Sequence, residues 1–298
     1  MIRTRGFTLI ELAIVLVIIT VLIGGLAVPL SAQIQARRIA ETKKTLEEAR
    51  EAIIGYAMTN TTGTCTCEYT STELDAGTST CSPLTLCPSH PKPLNVTGTA
   101  TLTLQPRHYI PCPDLMENDP EPGLDNDDDK SLRDLNNGRE DRYYDEASGE
   151  FKECAASSGN LPWVTLGTGQ QDAWGNRLRY VVTEQFANKA AGFTRTTPGD
   201  IEICGSHDCP PNTHVAKNIV AAIISHGPNG RGARSIHDRM LSPPTSLDEL
   251  RNVNINQKRL VSRSPTAADS ASGEFDDLVV WISADQLKGR VCPPGGCP

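Results

Sequence analysis

Residues 7–28 form an apolar run, Phe7-Thr-Leu-Ile-Glu-Leu-Ala-Ile-Val-Leu-Val-Ile-Ile-Thr-Val-Leu-Ile-Gly-Gly-Leu-Ala-Val28, broken by a single charge at Glu11 and preceded by a short basic leader, residues 1–6. Its 22 residues suffice for one helical crossing of a hydrocarbon core roughly 30 Å thick, so the run predicts a membrane segment. A carboxylate in such a helix costs roughly 2.5–3.5 kcal/mol at the centre and less near an end, and it tends to have a partner or a function. A signal peptide or a plain anchor would explain the apolar run but not Glu11. Cleavage at Ala32 is also disfavoured, because Leu30 stands two positions before it and Pro29 precedes that.

The stretch Arg5-Gly6-Phe7-Thr8-Leu9-Ile10-Glu11-Leu12 resembles the class III leader junction of type IV pilins and type II secretion pseudopilins. The resemblance implies cleavage after Gly6 by an inner-membrane prepilin peptidase, N-methylation of the new terminus on Phe7, and assembly of mature subunits into a helical filament. It also gives Glu11 a role. The cut creates an ammonium on Phe7 that the Glu11 carboxylate of a neighbouring subunit can neutralise. Such a pair selects register more than it adds stability, because desolvation offsets much of the Coulomb gain.

The helix should continue beyond the membrane. Ile39, Leu46 and Ile53 fall seven apart, with Thr42, Ala49 and Tyr56 between them on the same face, while Arg37, Arg38, Lys43, Lys44, Glu47, Glu48 and Arg50 lie opposite. One bent helix over 7–59 is expected, loosened near Gly24, Gly25 and Pro29, with 7–28 as its transmembrane and filament-core half.

Ten cysteines behind an export segment point to an oxidising compartment and a disulfide framework. The expected short bridges are Cys204 with Cys209, Cys292 with Cys297, and Cys112 with Cys154. Cys65, Cys67, Cys81 and Cys87 supply two more, with connectivity left open. Zinc at Cys204-Gly-Ser-His-Asp-Cys209 is the weaker reading, since no second knuckle accompanies it. Residues 59–103, rich in Thr, Ser, Pro and Cys, read as a stapled loop or small strands.

Between 114 and 150 fourteen acidic side chains face four basic ones. Asp125, Asp127 and Asp129 have the alternating spacing that opens an EF-hand loop, but Lys130 stands where the turn glycine belongs and Asn136 where the bidentate Glu belongs. A looser calcium site competes there with a solvated acidic loop. The chain carries 28 basic and 36 acidic side chains, a net charge of −8; loss of Arg3 and Arg5 leaves 26 against 36, or −10, which argues against nucleic acid as a partner.

Packable sequence resumes at Gly159. Leu178, Tyr180 and Val182 alternate as in a half-buried strand, and further strands are expected at 219–225 and 278–283, giving a small antiparallel sheet. Asp172-Ala-Trp174-Gly, Ser225-His-Gly-Pro-Asn-Gly230 and Asp276-Asp277 resemble the C-terminal region of major pseudopilins, over residues 172–283. That family binds calcium in the loop entering its last strand, which implies Asp276 and Asp277 as ligands, with Asn229 beside them. The segment 233–275, holding Pro243, Pro244 and Pro265, is longer than the family's link.

No GxSxG, phosphate loop, HExxH or CxxCH occurs. No catalytic residue and no required cofactor is therefore expected. The sequence reads as an α+β chain: leader 1–6, helix 7–59, and a head over 60–298 whose small antiparallel sheet packs on the helix and carries disulfide-stapled loops. The expected function is a structural subunit of a pilus-like filament. It would sit in the inner membrane before assembly, then in an extracellular or periplasmic filament, with itself or other pilins, the prepilin peptidase and an inner-membrane assembly platform as partners. The alternatives are a pseudopilin of a type II secretion system and a membrane-anchored calcium-dependent adhesin.

Overall fold

The computed structural model describes residues 8–62, 65–69, 80–82, 100–104, 107–116, 136–145, 150–254, 258–292 and 297, without side chains for 22–30, 65–69, 80–82, 100–104, 144–145 and 150–152. The chain opens with helix α1 (Leu9–Thr59), 51 residues and so about 77 Å long at 1.5 Å per residue. Its start is a capping box. The Thr8 hydroxyl accepts from Glu11 N at 3.4 Å, and the Glu11 carboxylate accepts from Thr8 N at 2.9 Å and from Thr8 Oγ1 at 2.8 Å.

Among the described residues no helix is long and apolar enough to cross a membrane. The described part of the apolar run is helical with its side chains outward: Leu9 is 90% exposed and Val21 68%. Contiguous apolar surface of this kind calls for lipid or protein to cover it.

Three small strands follow, β1 (Cys65–Tyr69), β2 (Thr80–Ser82) and β3 (Ala100–Leu104), an antiparallel sheet with β1 in the middle and Cys67 in register with Cys81. Next come the hairpin β4 (Arg142–Asp145) and β5 (Glu150–Cys154), then β6 (Ser158–Asn160), the single turn α2 (Trp163–Leu166), β7 (Arg179–Val182), α3 (Glu184–Ala187) and β8 (Ile201–Cys204). The chain ends with β9 (His214–Ser225), α4 (Leu247–Val253), β10 (Arg259–Val261), β11 (Leu278–Ser283) and α5 (Ala284–Val291).

The long strand β9 organises a six-stranded sheet. β7 and β8 pair in turn along one of its edges and β11 along the other, all antiparallel. The sheet is not wholly antiparallel as expected: β10 runs parallel to β8, because the chain passes through β9 and α4 before re-entering beside it. Both faces are apolar, which corrects the half-buried reading of the strand at 178–182. Leu178, Tyr180 and Val182 join Leu46, Ala49, Ile53 and Ala57 of α1 in one core, whereas Val181 joins Ile201, Ile203, Ile224 and Leu260 in a second.

The expected stripe on α1 is thus the seam with the head. It begins at Thr42, whose hydroxyl accepts from Ala173 N at 3.1 Å. Further along, Tyr56 donates to Glu140 (3.0 Å), the Ala57 carbonyl contacts His108 Nδ1 (2.7 Å), and Arg290 pairs with Glu51 (2.6 Å).

The acidic excursion is not solvated throughout. Asp114, at its base, is fully buried; its backbone pairs with Asn160 and its Oδ2 accepts from Gly138 N at 3.2 Å, while Oδ1 has no hydrogen-bond partner. Burial first, then the charge of Asp141, pushes its pKa up to about 7. The folded state therefore holds this proton between about pH 4 and pH 7 where the unfolded chain releases it, so stability from this group falls as pH rises through that window. In chelator, the melting temperature should drop from pH 5 to pH 8, and Asp114→Asn should flatten that drop. An unchanged slope would place the titration elsewhere.

Candidate metal centre

Three carboxylates from two separate segments converge beside the end of β9. Glu249 lies on the first turn of α4, and Asp276 and Asp277 lead into β11; one oxygen of each falls within 4.8 Å of the others. The turn after β9 makes the approach tight. Gly227 has φ +60, and a Cβ there would collide with the carbonyl and carboxyl oxygens of Asp276, so both the conformation and the contact require glycine.

The hydrogen bonds leave three carboxylate oxygens over, two of them buried without a partner. Asp276 Oδ2 accepts from Asn229 N (3.0 Å), Glu249 Oε1 from Asp276 N (3.0 Å) and Asn229 Nδ2 (3.3 Å), and Asp277 Oδ2 from Asn252 Nδ2 (2.7 Å). Glu249 Oε2 and Asp276 Oδ1 are buried with no hydrogen-bond partner, although Glu249 is only 1% exposed. Burial, reinforced by the charges of Glu249, Asp277 and Glu274 against the hydrogen bond from Asn229, pushes Asp276 up to about 7; burial and Asp277 likewise raise Glu249. Orphaned, mutually repelling carboxylate oxygens are what a hard cation satisfies, and an all-oxygen donor set suits calcium.

Asp276 and Asp277, which the resemblance pointed to, are neighbours in the chain, and the fold brings Glu249 to them. Asn229 borders the cluster: its Oδ1 accepts from Arg231 N at 2.8 Å and its Nδ2 donates to Glu249 Oε1 at 3.3 Å. Glu249 escaped the sequence reading because it sits in the long segment 233–275. One signal was present. Ser246 and Glu249 have the spacing of a capping box, yet Ser246 makes no side-chain cap bond and the Glu249 carboxylate accepts from Asp276 N instead.

The other candidates fall as follows. Gly6, Phe7, Asp125, Asp127, Asp129 and Cys87 lie outside the described residues. Glu11 is in the first turn of α1. Cys112 is bonded to Cys154, Cys204 to Cys209 and Cys292 to Cys297, the pairings named from spacing. Cys65 and Cys67 lie on β1 and Cys81 on β2. Cys204, Cys209 and His214 also cluster, but the bonded sulfurs are not thiolate ligands for zinc. His226 caps the strand end, its Nδ1 3.5 Å from Asp277 Oδ1.

Residues 1–27 match the family model of the prokaryotic N-terminal methylation motif. That motif is the class III prepilin leader of type IV pilins and pseudopilins, and this chain carries it. It supports a pilin-like or pseudopilin protein and says nothing of the head. No curated relative and no solved structure matches the chain.

Proposed function

We propose that the chain is a structural subunit of a type IV pilus-like filament, cleaved after Gly6, methylated on Phe7 and polymerised through α1. The observation that carries this reading is the methylation motif over residues 1–27, continuous with a helix whose amino-terminal apolar side chains are exposed while its second half is the seam of a head. Uncovered apolar surface at one end and a packed head at the other suit a subunit that buries the first in lipid, then among like helices. Mass spectrometry of the native protein tests it. A methylated Phe7 terminus is expected; an intact Met1 or a terminus near Ala32 would overturn it.

The carboxylate cluster supports a second reading within the same class, a pseudopilin of a type II secretion system, because the C-terminal resemblance implies calcium at Asp276 and Asp277. Either way the head takes a calcium ion on Glu249, Asp276 and Asp277, which would neutralise their charge and lock the entry to β11. At a free concentration 100 times Kd, binding adds about 2.7 kcal/mol. At about 2–4 °C per kcal/mol, full-length protein in detergent should gain about 5–11 °C in melting temperature with calcium. Glu249→Gln should lose most of that gain, whereas an equal gain in the variant would remove Glu249 from the site.

A further inference from the structure

The cluster poses a mechanical question: two segments, α4 and the entry to β11, hold like charges together and need restraint from outside. Arg263 lies between them. Its side chain is 14% exposed, and its Nε donates to Asp248 Oδ2 at 2.7 Å, the residue before Glu249. Its Nη1 donates to Thr266 Oγ1 at 2.7 Å, and its Nη2 to the carbonyls of Ser272 (3.1 Å) and Gly273 (3.3 Å). The guanidinium lies 4.6 Å from the Phe275 ring centroid. Thr266 and Phe275 exchange backbone hydrogen bonds at 2.9 and 3.0 Å, so Arg263 grips both ends of the loop that delivers Asp276 and Asp277.

Asp248 is held from the other side as well. It accepts from His207 N (2.8 Å) and contacts His207 Nδ1 (2.9 Å), while Arg251 donates to the His207 carbonyl at 2.9 Å. His207 sits inside the ring closed by Cys204 and Cys209.

We propose that Arg263 is a positioning residue for the cation site, clamping the Glu249 helix to the Asp276–Asp277 loop, and that the Cys204–Cys209 ring anchors this clamp through His207 and Asp248. The proposal rests on the metal reading above. A seven-residue helix has little stability of its own, so without the clamp α4 would drift to relieve the repulsion around Glu249. Affinity would then fall because the ligands must be gathered at binding. A lysine keeps the charge but lacks the planar fork that reaches Asp248, Thr266 and two carbonyls together.

The test is calcium titration calorimetry on the full-length protein in detergent, with circular dichroism and melting in chelator as the folding control. Arg263→Lys should weaken calcium binding by roughly 10- to 100-fold, the range for residues that orient metal ligands, while its chelator melting temperature stays near that of the wild type. The double variant Cys204→Ser/Cys209→Ser should weaken binding in the same direction and by less. Wild-type affinity in Arg263→Lys would overturn the clamp alone. A wild-type protein that binds no calcium would overturn the metal reading, and the clamp with it.

Discussion

Glu11→Ala is expected to abolish incorporation into filaments while the unassembled protein stays in the membrane fraction, and Glu11→Gln is expected to do the same. The pair of variants is needed because the proposed assembly gives Glu11 a second job beside capping, and alanine would remove both together. In the lone subunit its carboxylate closes the capping box with Thr8. Losing a cap costs about 0.5–2 kcal/mol, and glutamine can still make the box. Glutamine cannot neutralise the Phe7 ammonium of a neighbour. Leaving that ammonium buried and unpaired costs about 3–5 kcal/mol for each subunit added, enough to stop growth. The readout is immunoblotting of sheared filaments against membranes. Normal incorporation of the glutamine variant would assign Glu11 to capping alone and sink the intersubunit pair.

The second large effect is expected at Cys112–Cys154. Replacing both by serine should destabilise the head by about 4 kcal/mol, the loop-entropy value for a closure across 42 residues. At about 2–4 °C per kcal/mol that is a fall of about 8–16 °C in melting temperature. The bridge lies in the main core beside Ile110, and it closes the acidic excursion close to the end of α1. Polar contacts surround it: Cys112 N donates to Glu140 (3.0 Å), which also takes the Tyr56 hydroxyl, and Arg142 reaches the Ala187 carbonyl (2.6 Å). A loss under about 1 kcal/mol would show that this network holds the excursion without the bridge.

Local pattern was legible in the sequence wherever one element carried the whole signal. The stripe from Thr42 to Ile53 repeats on one helix face, residues 278–283 read directly as a strand, and rings closed over five residues, such as Cys204–Cys209, need no knowledge of the fold. What was not legible depends on segments meeting in space. Glu249 reaches Asp276 across 27 positions. Asp114 belongs to an acidic run by composition, yet it is buried because its backbone extends the β6 edge through Asn160. The orientation of the Asn229 amide was also hidden, since it is set by the bonds to Arg231 N and Glu249 across the turn. The parallel placement of β10 likewise follows from the path through α4, which no strand signal encodes.

Among the described side chains the buried face of α1 begins at Thr42, and residues 9–41 make up about 50 Å of helix before it at 1.5 Å per residue. A tug on the amino-terminal end therefore runs parallel to the line of contacts and loads them together in shear. Yielding would require the whole stripe to slip by a helical turn, about 5.4 Å, and the Tyr56–Glu140 and Arg290–Glu51 bonds to break with it. A sideways push on the head would instead peel the seam open from Thr42 one contact at a time. A seam of this geometry is expected to resist axial tension better than bending.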